Sequence, residues 1–531
     1  MNTNSPVYNE LNKAWKATCR ILFGEEIGEL KEYEEWLKEL YPDIEKKKSH
    51  ISSKDVVVGI PDYCKDAKFI SLDEVREIAI EPLNINEIKD IDSIIEAISE
   101  KWEYTGNRIL GRSTFIESSD VVIDSHYVAD SFYVYKSSYV LGSMGIRKAK
   151  YIFGSRGVHD ETEFVIRSSA GGNVKRSFEA GPNLYDCSDL YFSSYCFSCS
   201  DLMFSFNQRN KMYMIGNLQL SKEKYFALKA KLIEEIRDEL KKEKKFPSLF
   251  QFLSNKEPSE EAKSCVKEKQ EEVGDITPIE KAFSSTFKIL FKREISGIND
   301  YEKWLVKHAR LPYEFISPFG QKVYAYSLPE YQKLISLLPK KRMINHIEAL
   351  QLSNLHLSEE EISSLDKIKE NVEKIGYVSL HHYTGKFGNI ISCPVVDNVF
   401  NVYKCGGVLR GEYIGMSNIV GSNVKYIFGS NRTEDSQFGI HCYYSAGLTR
   451  SFEVDSSTNC SDTYFVHNCE GLQDAMFCWN TKGKRYAIGN AQLPPDQYRK
   501  IKDMLVEQMA DEILKKKELK YDIFNIGCGK K

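Results

Sequence analysis

Two kinds of hydrophobic spacing alternate along this chain of 531 residues. Near the N-terminus, Leu11, Trp15, Cys19 and Leu22 are spaced by four, four and three residues. This spacing places the four side chains on one apolar face of an amphipathic helix. The pattern predicts that the chain begins with helical structure.

From residue 119 the spacing shortens. Serines at 119, 125, 131 and 138 separate short runs of valine, tyrosine and other apolar residues. This repeat does not fit a helix and is too short for a hairpin, but it fits a solenoid with a corner after each strand and three strands in each coil. Small polar residues suit the corners, and β-branched and aromatic residues suit flat strands. We favour a right-handed β-helix or a related hexad solenoid, and a twisted antiparallel sheet or sandwich is the alternative.

The chain contains this arrangement twice. The sequence KYIFGS occurs in both halves, and seven of ten residues are identical between 211–220 and 484–493. The helical region is repeated as well, since residues 21–37 resemble residues 289–305. The repeat indicates two tandem modules.

We therefore expect an α+β fold of two tandem modules, each with a helical N-terminal segment, a β-solenoid or β-helix-like domain and a closing C-terminal helix. A helix over the open end of a solenoid would cover its unpaired strand edges. A charged stretch with few large apolar residues separates the modules, which is typical of a linker. The predicted segments are 1–105 (helical, first copy), 106–220 (solenoid, first copy), 221–250 (capping helix), 251–277 (linker), 278–376 (helical, second copy), 377–493 (solenoid, second copy) and 494–531 (capping helix and tail).

Composition and charge narrow the function classes. A formal net charge of −4 gives no long-range field for nucleic acid or an anionic membrane. The sequence contains no run of about eighteen apolar residues, so it predicts no membrane span. It also contains no basic region followed by an apolar run, so it predicts no secretory signal. Thirteen cysteines, an odd number spread along the chain, favour free thiols in a reducing compartment. We expect a cytoplasmic protein, or one in a particle or virion assembled in the cytoplasm.

The cysteines have two interpretations, zinc binding and core packing. Cys187 and Cys196 align with Cys460 and Cys469, and Cys199 completes a Cys-x-x-Cys sequence. A structural zinc site needs four convergent ligands. The nine-residue spacing favours successive faces of a solenoid instead, where cysteine is a compact buried hydrophobe. We expect core packing, no metal and no cofactor.

Charged residues retained in both copies are the candidate binding residues. An arginine and a glutamate three residues apart, as in RSFE, either grip a ligand carboxylate or phosphate or satisfy each other and the nearby backbone. A Lys-x-Tyr sequence is retained in the closing block of each half. The candidate binding residues are Arg176, Glu179, Arg450, Glu453, Lys211, Tyr213, Lys484 and Tyr486.

Other retained polar residues have two interpretations each. Asp189 and Asp201, which recur as Asp462 and Asp474, would serve acid–base chemistry, bind calcium between coils, or accept backbone N–H bonds at corners. We favour the backbone role. The amides after each Lys-x-Tyr form either a recognition surface or ties between the last coil and its helix, and we favour the ties because buried amides must be hydrogen-bonded. These amides are Asn217, Gln219, Asn490 and Gln492.

The closing block of the first half resembles a known family. Residues 207–225 read NQRNKMYMIGNLQLSKEKY, and CSDLYF and SDLMF precede them. This resembles the hexad-repeat proteins of candidate-phylum bacteria and some large phages, which carry ladders of Asn/Asp-x-Val/Cys-Phe-x-Ser units and end in an Arg-x-Lys-x-Tyr-x-Ile-x-Asn block followed by a helix. The resemblance covers 119–240 and, less closely, 395–515. It implies the solenoid fold and no catalytic residue, although this chain lacks the paired Cys-x-x-Cys sequence that many members carry at the N-terminus.

The sequence favours a non-catalytic scaffold over an enzyme. Phosphate-loop, GxSxG, HExxH and dinucleotide sequences are missing, so we expect no catalytic residue. We expect the duplicated solenoid faces to serve protein docking or self-assembly, for example in a virion or another large particle. One alternative is a carbohydrate-active β-helix enzyme, which requires Asp189, Asp201 and Glu179 to converge in one groove beside aromatic rings. The other is an RNA- or ribosome-associated factor, which requires a basic stripe; nucleic acid is the less favoured partner.

Overall fold

A computed structural model describes residues 1–531 except 43–44, 61, 76–87, 170, 269–273 and 529–531, and the side chain of Glu330. The helices are α1 (Pro6–Phe23), α2 (Leu30–Lys38), α3 (Ile91–Ser99), α4 (Lys222–Glu243), α5 (Glu260–Cys265), α6 (Thr277–Phe291), α7 (Glu302–Leu305), α8 (Pro329–Leu337), α9 (His346–Leu352), α10 (Leu365–Asn371) and α11 (Pro495–Lys516).

The strands of the first half are β1 (Glu45–Lys48), β2 (Asp55–Val58), β3 (Phe69–Ser71), β4 (Tyr104–Gly106), β5 (Ile109–Leu110), β6 (Thr114–Glu117), β7 (Asp120–Ile123), β8 (His126–Ala129), β9 (Phe132–Tyr135), β10 (Ser138–Leu141), β11 (Met144–Arg147), β12 (Lys150–Phe153), β13 (Arg156–Val158), β14 (Glu163–Ile166), β15 (Gly172–Phe178), β16 (Leu184–Tyr191), β17 (Cys196–Phe197), β18 (Ser200–Met203), β19 (Met212–Ile215) and β20 (Leu218–Gln219). Those of the second half are β21 (Tyr313–Ile316), β22 (Lys322–Ala325), β23 (Met343–Ile344), β24 (Val378–Ser379), β25 (His382–Ile391), β26 (Val395–Tyr403), β27 (Gly407–Gly415), β28 (Asn418–Phe428), β29 (Asn431–Glu434), β30 (Gln437–Ala446), β31 (Thr449–Asp455), β32 (Ser461–His467), β33 (Gln473–Trp479), β34 (Arg485–Ile488) and β35 (Ala491–Gln492).

The chain forms two compact units, and each is assembled from three separate stretches of sequence. Unit 1 comprises Met1–Ile44, Asn107–Gln270 and Glu314–His382. Unit 2 comprises Glu45–Gly106, Glu271–Tyr313 and Tyr383–Lys531. Both contain helices and mainly parallel sheets, so the predicted α+β class is confirmed. The stretches predicted to be helical also contain strands, namely β1 to β3 and the start of β4 in the first copy, and β21 to β23 in the second.

Unit 1 contains parallel strands with a repeat of twelve residues. Ser138 in β10 pairs with His126 on one side and with Lys150 on the other. The intervening strands β7, β9 and β11 form a second parallel ladder with the same spacing. Each repeat therefore contains two strands, and the prediction of three strands per coil is wrong. The six-residue spacing of the sequence corresponds to half a repeat.

Unit 2 contains a sheet in which β25 to β35 follow one another in sequence order. Val454 pairs in parallel with Cys442 and Val466, again twelve residues away on either side. The last two strands of each half, β19–β20 and β34–β35, pair antiparallel. The long ladders are thus parallel, and the antiparallel sheet considered from the sequence does not describe them.

The backbone enters the left-handed region at every third residue of the unit 1 ladders. In one stretch Tyr127, Asp130, Tyr133, Lys136 and Tyr139 have φ between 46° and 57°. A left-handed residue other than glycine costs about 1–2 kcal/mol, so the neighbouring repeats must hold it in place. The sequence predicted unusual dihedrals at the polar corners, whereas the structure also places them at tyrosines in the middle of strands.

Serine hydroxyls connect successive corners. The Oγ of Ser131 accepts a hydrogen bond from the N–H of Ser143 at 3.1 Å and donates to the carbonyl of Ala129 at 2.7 Å. A second series of corners contains Ser125 and Ser137, and Ser137 rather than Ser138 occupies the corner. The corner spacing therefore stays at six residues.

Two layers of apolar side chains stabilise unit 1. Valine and isoleucine at six-residue intervals, for example Val128, Val134 and Val140, form one fully buried cluster. The predicted apolar face of α1 is confirmed, since Trp15 is buried and its ring lies 5.4 Å from that of Phe153 on β12. Helix α6 has the same role in unit 2 through its buried phenylalanines.

Candidate functional site

One column of outward side chains has the same arrangement in both units. Its members are the left-handed residues in the middle of successive strands, spaced by twelve or thirteen residues. The column of unit 1 consists of Phe115, Tyr127, Tyr139, Tyr151, Phe164, Arg176, Asp189, Asp201 and Tyr213. The column of unit 2 consists of Asn389, Asn401, Tyr413, Tyr426, Phe438, Arg450, Asp462, Asp474 and Tyr486.

The first part of the column is an aromatic stack. In unit 1 the rings from Phe115 to Phe164 have successive centroid distances of 4.8, 5.3, 4.9 and 4.7 Å, with interplanar angles of 13° or less. In unit 2 the stack is shorter, with 5.2 Å from Tyr413 to Tyr426 and 5.0 Å from Tyr426 to Phe438. At these distances the faces of neighbouring parallel rings pack against each other, so the stack offers mostly ring edges to a ligand.

The second part of the column in unit 1 is a charged cluster of Arg176, Asp189, Asp201 and Lys229. Arg176 donates two hydrogen bonds to the carboxylate of Asp189, at 2.8 and 2.5 Å, and these bonds raise the pKa of Arg176. Lys229 on α4 lies 3.0 Å from Asp201 and 3.9 Å from Asp189. Two cations and two carboxylates therefore neutralise one another at the junction between the ladder and its closing helix.

Unit 2 contains the equivalent charged cluster of Arg450, Asp462, Asp474 and Lys502. Arg450 donates to Asp462 at 2.7 and 2.6 Å, and Lys502 on α11 lies 3.7 Å from Asp474. Burial lowers the pKa of Lys502, although the neighbouring carboxylates oppose this shift. Lys502 also lies 5.3 Å from the ring centroid of Tyr464, a cation–π arrangement. The duplication has thus retained the paired arginine and aspartate and the helix lysine beside the second aspartate.

The two glutamates of the candidate set lie away from their arginines. Glu179 is buried and pairs with Arg167, and burial raises the pKa of Glu179 to about 7 despite that guanidinium. Glu453 is buried too and accepts from the backbone N–H of Ile523 at 2.8 Å. Arg176 and Glu179 therefore do not pair with each other. Arg176 lies in the outward column, whereas Glu179, three residues further along the chain, is buried.

The tyrosines of the Lys-x-Tyr pairs end the column. The ring of Tyr213 lies 5.7 Å from that of Tyr225 on α4, and Tyr486 lies at the same distance from Tyr498 on α11. Lys211 is exposed. Each pair therefore lies where the last parallel strand meets the closing helix.

The retained amides that follow make hydrogen bonds to the backbone. Asn217 accepts from the N–H of Phe206 at 2.8 Å. Asn490 accepts from the N–H of Trp479 at 3.0 Å and donates to its carbonyl at 2.7 Å. The Nζ of Lys484 donates to the carbonyl of Asn490 at 3.0 Å. These contacts tie the last turns of each ladder together.

The cysteines of the ladders occupy corner positions. Cys187 accepts from the N–H of Cys199 at 3.4 Å and donates to the carbonyl of Tyr185 at 3.1 Å, as the corner serines do. Burial raises the pKa of Cys460 to about 11 and that of Cys478 to about 12, which makes these thiols poor nucleophiles at neutral pH. Among the residues that the structure describes, no group of three or more His, Cys, Asp or Glu is arranged to hold a metal ion.

The expectation of free thiols does not hold for one pair of cysteines. Cys64 and Cys528 form a disulfide in unit 2, with a Cα–Cα distance of 6.4 Å. They are 464 residues apart in sequence, so no local pattern indicated the pair.

No protein-family model, curated protein or solved structure matches this chain. The described helices include none with the length and apolar character needed to cross a membrane. The aromatic stack and the lysine of each charged cluster were not predicted from the sequence. The twelve-residue spacing of the rings, and the equivalent positions of Lys229 and Lys502 in the duplication, were the available signals.

Proposed function

We propose that this protein is a structural scaffold of two tandem β-solenoids and that it self-associates through the first edge of its ladders. The twelve-residue parallel register supports a solenoid in each unit. The resemblance to hexad-repeat proteins supports the same interpretation. The observation that carries the function is the concentration of exposed apolar side chains on the first strands of both ladders.

In unit 1 these side chains lie on β5 and β6. Phe115 is 50% exposed and Leu110 is 39% exposed. Each of the two strands has a neighbour on one side within the described sheets, β7 for β5 and β8 for β6. An exposed edge with aromatic residues is a template for pairing with another chain. Phe115 is also the first ring of the aromatic stack, so its outer face could continue that stack.

Unit 2 repeats this feature at its own first strands. Strand β25 is the first in the sheet order, and Phe387 on β25 is 44% exposed. On the next two strands Phe400 is 42% exposed and Leu409 is 43% exposed. The opposite end of each ladder carries an antiparallel strand pair and a long helix. Among the described strands, β25 pairs only with β26. A second copy of the chain fits such an edge, because a two-fold axis pairs the edge with itself.

The carbohydrate-active alternative has less support. Asp189 and Asp201 lie on the outward column, but Glu179 is buried beside Arg167, so the three carboxylates do not share a groove. The aromatic rings stack on one another, which leaves few free faces for a sugar. The nucleic-acid alternative also has little support, because many lysines and arginines form ion pairs with acidic residues.

Light scattering of the full-length protein over a range of concentrations tests the proposal. We expect the wild type to form a discrete oligomer and Phe115→Lys to raise its dissociation constant about tenfold or more, as removal of an interface anchor does. Phe226→Lys is the matched control, since Phe226 is 42% exposed but lies on α4. A wild type that remains monomeric, or equal effects of the two substitutions, would overturn the proposal. If a different protein co-purifies with the wild type in a fixed ratio and is lost from Phe115→Lys, that protein, and not a second copy of the chain, occupies this edge.

A further inference from the structure

The two halves of the chain exchange equivalent segments. Residues 314–382 belong to the second half but complete unit 1, whereas residues 45–106 belong to the first half but complete unit 2. Each exchanged segment contains a short parallel strand pair, β23–β24 in unit 1 and β3–β4 in unit 2. These pairs occupy matching positions in the two copies, offset by 274 residues (Phe69 to Met343, Tyr104 to Val378). The exchange is therefore reciprocal.

In unit 1, asparagines near the end of the ladder bind the backbone of the exchanged segment. Asn207 Nδ2 donates to the carbonyl of Tyr377 at 3.0 Å, and Asn217 Nδ2 donates to that of Leu355 at 2.8 Å. Asn183 binds the carbonyl of Ser379 at 3.1 Å. All three asparagines are buried. Without the segment these amides would lose partners that buried polar groups require.

Unit 2 uses the equivalent asparagine for the equivalent carbonyl. Asn480, the counterpart of Asn207, donates to the carbonyl of Glu103 at 3.1 Å, and Glu103 is the counterpart of Tyr377. The ring of Trp102 lies 5.0 Å from that of Trp479, and both are fully buried. The N–H of Thr105 donates to Nε2 of His467 at 3.0 Å. Apolar and polar contacts therefore both fix this segment.

We propose that the closing end of each ladder is a docking surface whose partner is the exchanged segment of the opposite half. The two halves then depend on each other, and neither can complete its own unit.

The disulfide between Cys64 of the exchanged segment and Cys528 of the C-terminal tail joins one half to the other covalently. It forms when both thiols lose their protons and transfer two electrons to a disulfide oxidant, which leaves as two thiols.

Cleavage of the linker in the full-length protein tests this inference. A protease site inserted between Glu268 and Asp275 separates the halves covalently while leaving the rest of the chain intact. Under reducing conditions we expect both fragments to co-elute in size-exclusion chromatography at the volume of the uncut protein. Fragments that separate would overturn the proposal.

Oxidation then distinguishes exchange from simple contact between halves. After treatment with glutathione disulfide and alkylation, we expect the cut protein to run as one linked species on a non-reducing denaturing gel. Cys64→Ser should give two separate fragments, and Cys265→Ser, which removes a free cysteine, should stay linked. Unlinked wild-type fragments, or linkage that persists in Cys64→Ser, would contradict the exchange.

The asparagines give a second readout. In the cut, reduced protein we expect Asn480→Ala to release its partner fragment about tenfold faster, because a buried hydrogen bond is lost. Asn371→Ala is the control, since Asn371 bonds within α10. Equal release rates would argue against the docking surface.

Discussion

At the scale of single residues, one hydroxyl group supports many of the corners of the ladders. Ser143 is fully buried, accepts from the N–H of Ser155 at 3.1 Å and donates to the carbonyl of Leu141 at 2.8 Å. Serine is suited to this position because it is small and both donates and accepts. Cys393 makes the same pair of contacts in unit 2, with weaker bonds to sulfur. The corner therefore favours a small side chain, and most often one with a donor and an acceptor.

We predict that Ser143→Ala lowers the free energy of unfolding by about 1–3 kcal/mol, because it leaves a buried N–H without a partner. Ser143→Cys should cost less, since cysteine fills this position elsewhere in the chain. Ser138→Ala, one strand earlier and partly exposed, should change stability by about 0.5 kcal/mol or less. Urea unfolding of the three variants measures these differences. A Ser143→Ala variant as stable as Ser138→Ala would refute the corner role.

The sequence predicted the repeat better than the geometry of the site. Hexad valines and corner serines follow directly from local spacing, and the structure confirms that Val134 and Ser131 are buried. The number of strands per coil was wrong, because spacing along the chain does not show which strands pair. The partner of Glu179 was missed for a related reason: Arg167 is twelve residues away, one repeat earlier.

At the scale of elements, a histidine joins the three stretches that form unit 2. His308, which follows α7, lies 3.5 Å from Asp62 and 3.4 Å from Asp522. Lys307 and Arg310 bring further positive charge, to Asp522 and Asp62 respectively. Burial alone lowers the pKa of His308, but the two carboxylates outweigh it and raise the pKa to about 9. The charged imidazole therefore holds separate elements together.

This arrangement predicts a dependence of stability on pH. The folded pKa of about 9 lies above the ordinary value of 6.5, so the contribution of His308 is complete below pH 6.5 and is lost as the pH rises to 9. The contribution is at most about 3 kcal/mol. We expect His308→Gln to destabilise the protein at pH 6 but hardly at pH 9.5, measured by urea unfolding. The exposed His126→Gln in unit 1 is the control, and a pH-independent loss in His308→Gln would contradict the prediction.

At the scale of the whole molecule, the duplication explains why the exchange was invisible in the sequence. The two copies have similar segments at equivalent positions, so residues 45–106 and 314–382 fit the same kind of surface. Sequence patterns show which residues are buried but not which copy buries them. Only the three-dimensional contacts, such as those of Trp102 with Trp479, reveal it.

Hydrogen exchange of the full-length protein should follow the units rather than the halves. Trp479→Ala removes a fully buried ring from unit 2, a change that costs about 3–5 kcal/mol in a core. We expect amide exchange to accelerate about a hundredfold or more in residues 88–106 as well as in 461–479, and to stay unchanged in 138–153. Phe153→Ala, in the core of unit 1, should accelerate exchange in 138–153 and 343–352 and spare 88–106. If amide exchange in residues 88–106 instead accelerates in Phe153→Ala, the first half folds as one body. Amide protection would then follow chain order and not the contacts, and the proposed exchange of segments would be wrong.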